Sequence, residues 1–242
     1  MRRQRSRFCL SATLLATIAA TAARLPSQQR DPAPLVGALP FTNSVVGDER
    51  AALNPLVSGV PELLLIELAR NPDIRIVEPA RVRRVLNSQK LDPEARIDDE
   101  SASRIGRILG AQWAIRGTFT SDGRGAIRLT AYMSNVGSGA PVEHTATAEG
   151  KQANLAALIG QIAEHFSRDM HLPELPKESR RARELTQKAS YETTLAFARA
   201  IEARDAGRVQ QAIAMLKELA SNDPGYEPAQ SELTRLHSDK GR

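Results

Sequence analysis

Cysteine is almost missing from this chain of 242 residues: the only one, Cys9, sits in the first apolar stretch. One thiol at that place gives neither a disulfide framework nor the thiolate set of a structural zinc site. Cys9 also stands too near the N-terminus, without the usual small residues before it, to act as a lipoprotein acceptor. Histidine is scarce as well. His144, His165, His171 and His237 are the full set, and none stands in a His-Glu-x-x-His arrangement. No metal and no cofactor site is expected. After the N-terminal segment no run of about 18 consecutive apolar residues occurs, so no stable membrane-spanning helix is expected there.

Positive charge is concentrated at the start. Arg2, Arg3, Arg5 and Arg7 precede the apolar run Phe8–Ala20 and the small residues up to Ala23. This is the order of a secretory signal peptide, expected over residues 1–23 and cleaved after Ala22 or Ala23. The formal net charge of +5 includes those four arginines and no acid before Arg24, which leaves 5 − 4 = +1 for the remainder. A nucleic-acid partner loses its electrostatic basis once that is counted. The protein is expected to be periplasmic or secreted, with no lipobox. Residues 24–34, polar and proline-rich, read as a flexible tail.

From Leu35 to residue 171 the pattern predicts an α/β domain with a mixed sheet packed by helices, in the order β-α-β-α-α-β-β-β-α. Leu35–Phe41 is a nearly continuous apolar run, as in a strand covered on both faces. Leu56, Val60, Leu63, Leu64 and Leu68 recur at helical spacing, although Pro61 falls among them. Asn71-Pro72-Asp73 marks a turn before a strand at Ile74–Val77, and Val82, Val85 and Leu86 mark a short helix. Asp98, Asp99 and Glu100 suit a helix N-terminus, and Gly110 suits its C-terminal cap. Three alternating segments follow, carrying Trp113, Ile115 and Phe119, then Ile127, Leu129, Ala131 and Met133, then Val142, Ala146 and Ala148. Turn residues at Ser121–Gly123 and Asn135–Gly139 make them antiparallel neighbours. Leu155, Leu158, Ile159, Ile162 and Phe166 mark a closing helix.

No catalytic constellation emerges. Asp98 and Asp99 read as caps, not as an acid/base pair. Gly137-Ser138-Gly139 lacks the frame of a nucleophile elbow, and Gly123-Arg124-Gly125 is a hairpin turn with no helix after it to cradle phosphate. The arginines at 81, 83 and 84 and at 180, 181 and 183 read mainly as solvated helix faces, with an acidic partner as the sharper alternative.

The C-terminal part differs in kind. After a linker and helix over 172–189, the segment 190–238 is rich in alanine and charge. Ala200, Gly207, Ala212, Leu216 and Pro224 fall at the spacing of a tetratricopeptide repeat, which it resembles over one unit. The small residues would allow close helix approach and Gly207 the interhelical turn. One such unit buries too little alone, so it is expected to dock on the domain or on a partner.

The order of elements resembles the CsgG family of curli assembly and secretion components, in its periplasmic domain, and more loosely the amino-terminal domain of TolB. The resemblance rests on Leu39-Pro40-Phe41, the helix Leu56–Ala69, Ile74–Val85 around Glu78, Gln89-Lys90-Leu91, and Leu109-Gly110-Ala111 leading to Gly117. It implies an exported, non-enzymatic module that assembles with other envelope proteins, through the helical appendage or a sheet face, with oligomers allowed. The lipidated cysteine and the long barrel-forming hairpins are missing, and Gly125–Tyr132 carries Arg128 and Thr130 without an aromatic girdle, which points away from a pore. The alternative is a soluble periplasmic module that binds or senses a small ligand, which would need a sizeable apolar cleft. A hydrolase would need a pocket with two convergent titratable groups. An assembly protein would show an exposed apolar patch or a concave helical face.

Overall fold

A computed structural model describes residues 33–90, 97–136 and 143–239. The expected signal, nearly all of the expected tail, the Asp92-Pro93 linker, Gly137-Ser138-Gly139 and Val142 lie outside the described residues. The strands are β1 (Leu35–Ala38), β2 (Thr42–Asn43), β3 (Arg75–Ile76), β4 (Trp113–Ser121), β5 (Ala126–Asn135) and β6 (Glu143–Lys151). The helices are α1 (Glu49–Leu53), α2 (Leu56–Ala69), α3 (Pro79–Ser88), α4 (Asp99–Leu109), α5 (Leu155–Asp169), α6 (Lys177–Gln187), α7 (Tyr191–Asp205), α8 (Val209–Asn222) and α9 (Glu227–Asp239). The fold is α/β with a mixed sheet of order β3-β1-β4-β5-β6: β3, β1 and β4 run parallel, and β4, β5 and β6 are antiparallel.

The expected strand Leu35–Phe41 is shorter than its apolar run. β1 pairs with β4 at Val36↔Trp113, and the chain rejoins β4 as β2 at Thr42↔Thr118. The offset between partners falls from 77 to 76, so one extra residue is accommodated near Pro40, a bulge where a residue without an amide is tolerated. The same segment explains why Pro61 does not break α2. A proline at 61 leaves the Val57 carbonyl without its intrahelical donor. The amide of Phe41 donates to that carbonyl at 2.9 Å instead. The helix therefore continues through Pro61, and the bulge is tied to it.

Side chains on the two faces of β1 and β4 enter different layers. Val36, Ala38, Trp113, Ile115 and Phe119 join β5 and β6 residues, α2 and α5 in the larger cluster. Leu39, Ala111, Val82, Leu86, Ile105 and Leu109 form a smaller one beneath α3 and α4. α4 is capped as expected, with the Asp98 carboxylate accepting the Ser101 amide at 2.7 Å and Gly110 left-handed at φ 67°.

α2 was expected to bury one face, and it is buried around most of its circumference, including Glu62 and Glu67. Its second side is taken by α7. Leu195, Phe197, Ala198, Ala200 and Ile201 of α7, Ile213 and Leu216 of α8, and Tyr226, Ala229 and Leu236 lie in the same core cluster as the sheet. The segment expected as an appendage thus continues the core of residues 33–171. By length and composition Glu49–Ala69 would also suffice to cross a membrane, yet 72% of its most apolar 18-residue stretch is buried here. Its apolarity serves this double contact.

Candidate functional site

The buried charges of the described residues converge on α2, apart from Arg116 of β4, which pairs with Asp99 and Glu143 and lies over the Tyr132 ring. Two carboxylates of this otherwise apolar helix are held by arginines from the C-terminal helices. Glu62 accepts Arg204 of α7 at 2.8 Å and Arg235 of α9 at 3.1 Å. Arg204 donates further to Glu232 of α9 at 2.8 Å and to its neighbour Asp205 at 2.7 Å, while Asp205 also accepts Arg83 of α3 at 2.8 Å. Arg235 closes the set by pairing with Glu232. Three acids meet three arginines. Glu62, Arg204 and Glu232 are 7%, 4% and 3% exposed, so none can be satisfied by water alone.

A second set lies farther along α2. Glu67 accepts Arg70 at 2.9 Å and Arg183 of α6 at 3.0 Å, and Arg183 also donates to the Glu67 backbone carbonyl. Arg70 reaches Thr186 and Glu227. The Asn71 side chain donates to the Pro173 carbonyl at 2.9 Å, tying the end of α2 to the connection before α6.

The local field splits these carboxylates. Burial pushes Glu62 upward, but Arg204 and Arg235 outweigh it and hold the group below the ordinary carboxylate range. Burial raises Glu232, opposed by Arg204 and reinforced by the Glu62 charge. Burial also raises Glu67 beyond what Arg70 and Arg183 offset. Desolvation works against the Arg204 charge, yet Glu62, Asp205 and Glu232 keep it more firmly protonated than usual.

Linkage then assigns opposite signs. Glu62, depressed in the folded state, stabilises above its unfolded value near 4.5 and loses that contribution as pH falls through its folded value. Glu232 and Glu67, raised, contribute below 4.5 and lose it as pH rises through theirs. Glu62→Gln should therefore cost about 3–5 kcal/mol at pH 7, the range for breaking a buried pair, and distinctly less at pH 3. Urea unfolding at both pH values measures it; an equal penalty would mean that Glu62 is not held ionised.

The cleft beside this network, lined by Ala38, Pro40, Ser58, Glu62, Arg83 and Asp205 among others, has about 40 Å³. That is room for roughly three water molecules, at ~10–15 Å³ each. Glu62 and Glu232 do converge, as an acid/base pair would, but Arg204 stands between them and no substrate fits beside them. The arrangement is a staple joining α2, α3, α7 and α9. A wider concavity of about 660 Å³, between the β5–β6 strand ends and the start of α7, has a mixed wall: Arg124, Lys151, Gln152, Ser190 and Tyr191 beside Gly125, Ala126 and Ala153.

Among the residues singled out from sequence, Ala200, Ala212 and Leu216 are fully buried between helices. Gly207 turns the chain from α7 to α8 at φ 79°, and Pro224 is exposed in the turn after α8. The two arginine groups divide: Arg81, Arg84 and Arg181 are exposed, whereas Arg83 and Arg183 face inward to Asp205 and Glu67. His144 and His165 both approach Asp169, at 3.4 and 3.5 Å, and His144 tilts against Trp113. His171 follows α5 and His237 contacts the Leu233 carbonyl. Among the described residues, no group of three histidine, cysteine or acidic side chains has metal-holding geometry. Sequence reading missed α1, β2 and the ion-pair staples. Two glutamates inside the run Leu63–Ala69 and just before it were the available signal, since an acid in an all-round apolar helix demands a buried cation.

No family model matches the chain, and no curated protein matches it. Similar solved structures include lipoprotein GNA1162 from Neisseria meningitidis, 12% identical over 57% of this chain and 98% of that one, with a TM-score of 0.38. The LpoB C-terminal domain from Escherichia coli is 15% identical over 49% and 83%, at 0.36. That from Salmonella enterica is 12% identical over 51% and 87%, at 0.34. These findings overturn the resemblance to the CsgG family and lend no support to those to TolB and to a tetratricopeptide repeat. The physical reason is visible in the residues that suggested it. Leu39-Pro40-Phe41 is a bulge, Gly110 a helix cap and Gly117 the space that the Phe41 ring fills. Such positions report backbone geometry and are open to unrelated families.

Proposed function

We propose that this chain is an exported, non-enzymatic cell-envelope protein that acts through protein contacts, as an assembly or secretion-accessory module. The observation that carries this reading is the disposition of its charges: apart from Arg116 of β4, the buried ones are locked in staples, and what remains for a partner is surface. One face of β4–β6 is packed by helices; the opposite face is covered by α4 around Ala114 and Arg116, and beyond them presents Thr120, Arg128, Thr145, Thr147 and Glu149 exposed and Thr118, Thr130 and Tyr132 half-buried. A one-sided antiparallel sheet of this kind offers a flat polar platform. The expected apolar patch has no counterpart among the described residues, whose exposed large apolar side chains are Val46, Ile108 and Leu185, on separate elements. The small-ligand alternative would use the wider concavity between the β5–β6 strand ends and the start of α7.

Thr130→Trp tests the platform, since it adds bulk there without touching the core. Affinity capture from envelope extracts with the purified chain should retain defined partners, and Thr130→Trp should lose them at an unchanged melting temperature. Undiminished capture would remove the sheet face from this reading. Cell fractionation that finds the chain only in the cytoplasm would remove the export.

A further inference from the structure

β6 ends the sheet order, and no described strand lies beyond it. The direction of its backbone groups follows from one bond. The Gln152 amide donates to the Gly125 carbonyl at 2.8 Å, so 152 and 125 are a hydrogen-bonded pair that continues the β5–β6 register. Hydrogen-bonded pairs alternate along an antiparallel ladder. His144, Ala146, Ala148 and Gly150 therefore turn their backbone groups to β5. Glu143, Thr145, Thr147, Glu149 and Lys151 turn theirs outward, where none meets a partner among the described residues. The strand holds one unbroken register over nine residues and carries no proline, so neither a bulge nor a missing amide blunts it.

We propose that β6 is a self-pairing edge, at which two copies of this chain join antiparallel about a twofold axis at Thr147 to form one continuous sheet. The charge order along β6 selects this occupant and this register. Glu143 comes opposite the partner's Lys151, Thr145 opposite the partner's Glu149, and Thr147 opposite the partner's Thr147. On the other face His144 meets the partner's Gly150 and Ala146 the partner's Ala148, small enough to pass without collision. Opposite charges thus face each other at both ends of the strand pair and no like charges lie directly opposite, which is the favourable case for cross-strand pairs. A shift of the axis to Glu149 sets two glutamates face to face. A shift to Thr145 takes Lys151 away from Glu143. The backbone supplies the affinity and the alternating side chains the register, as in strand addition generally.

The test uses the purified full chain in sedimentation equilibrium, with a Cys9→Ser background for cross-linking. The native sequence should give twice the monomer mass at high concentration. Thr147→Pro deletes an outward amide and none of the backbone bonds to β5, losing there only the long hydroxyl contact to Thr130 at 3.5 Å, so it should keep the melting temperature and sediment as a monomer. Thr147→Cys should form a covalent dimer on oxidation, because hydrogen-bonded partners have Cα atoms about 5.5 Å apart, within disulfide reach. Thr130→Cys, one strand inward, should not. A chain that stays monomeric at every concentration overturns the proposal. So does a dimer that tolerates Thr147→Pro and resists cross-linking at 147, and so does a β6 edge that pairs only with a different protein.

Discussion

A chain ending at Leu172 will not unfold cooperatively, and its α/β remnant will show the broad, shallow transition of a collapsed state. Removing α6–α9 strips Leu195, Phe197, Ala198, Ile201, Ile213, Leu216 and Tyr226 from the cluster they share with the sheet. It also leaves Glu62 and Glu67 on α2 without Arg204, Arg235 and Arg183. An exposed apolar α2 with unpaired acids has no stable single arrangement. Calorimetry on the truncated chain measures this, and a sharp transition near that of the full chain would separate the two parts. The point variant is Gly59→Ala. In an isolated helix the exchange would gain about 1 kcal/mol. Here a Cβ at residue 59 would lie 2.3 Å from the Ala198 Cβ and 2.7 Å from its Cα, so backbone must move. The sign should reverse, with a loss of roughly 1–3 kcal/mol, the usual cost of overpacking. Ala212→Trp, at a fully buried position facing its neighbours in the helical layer, should act in the same direction.

Arg204→Met should cost about 3–5 kcal/mol, because it leaves the buried Glu62 and Glu232 with the partly exposed Arg235 as their one remaining shared cation. The loss is mostly the penalty of stranded charge, not the net worth of the ion pairs. The triple variant Glu62→Leu, Arg204→Met, Glu232→Leu should therefore recover much of it, since an apolar replacement of a buried network is often neutral or better. Urea unfolding of the single and triple variants measures both. If the triple variant is weaker than Arg204→Met alone, the network stabilises on its own account and the desolvation argument fails here.

Some of this molecule is written in local pattern. Alternation at Ile127, Leu129, Ala131 and Met133 sets β5 and its inner face, since a strand has only two faces to assign. Asp98 and Gly110 bracket α4 because an acidic cap and a left-handed terminus are satisfied within a few residues. The α/β class follows from the sum of such signals. Three other features belong to the tertiary structure alone. Pro61 is tolerated because Phe41, twenty residues away, supplies the missing donor. Glu62 and Glu67 are tolerated because arginines more than a hundred residues later reach them. The spacing of Ala200 and Ala212 announced close-packed helices without saying whether they pack on the domain or on a partner, and α2 shares their core. Periodicity records how much of an element is buried and on which side. What buries it is a contact between distant segments, and no window along the chain contains both.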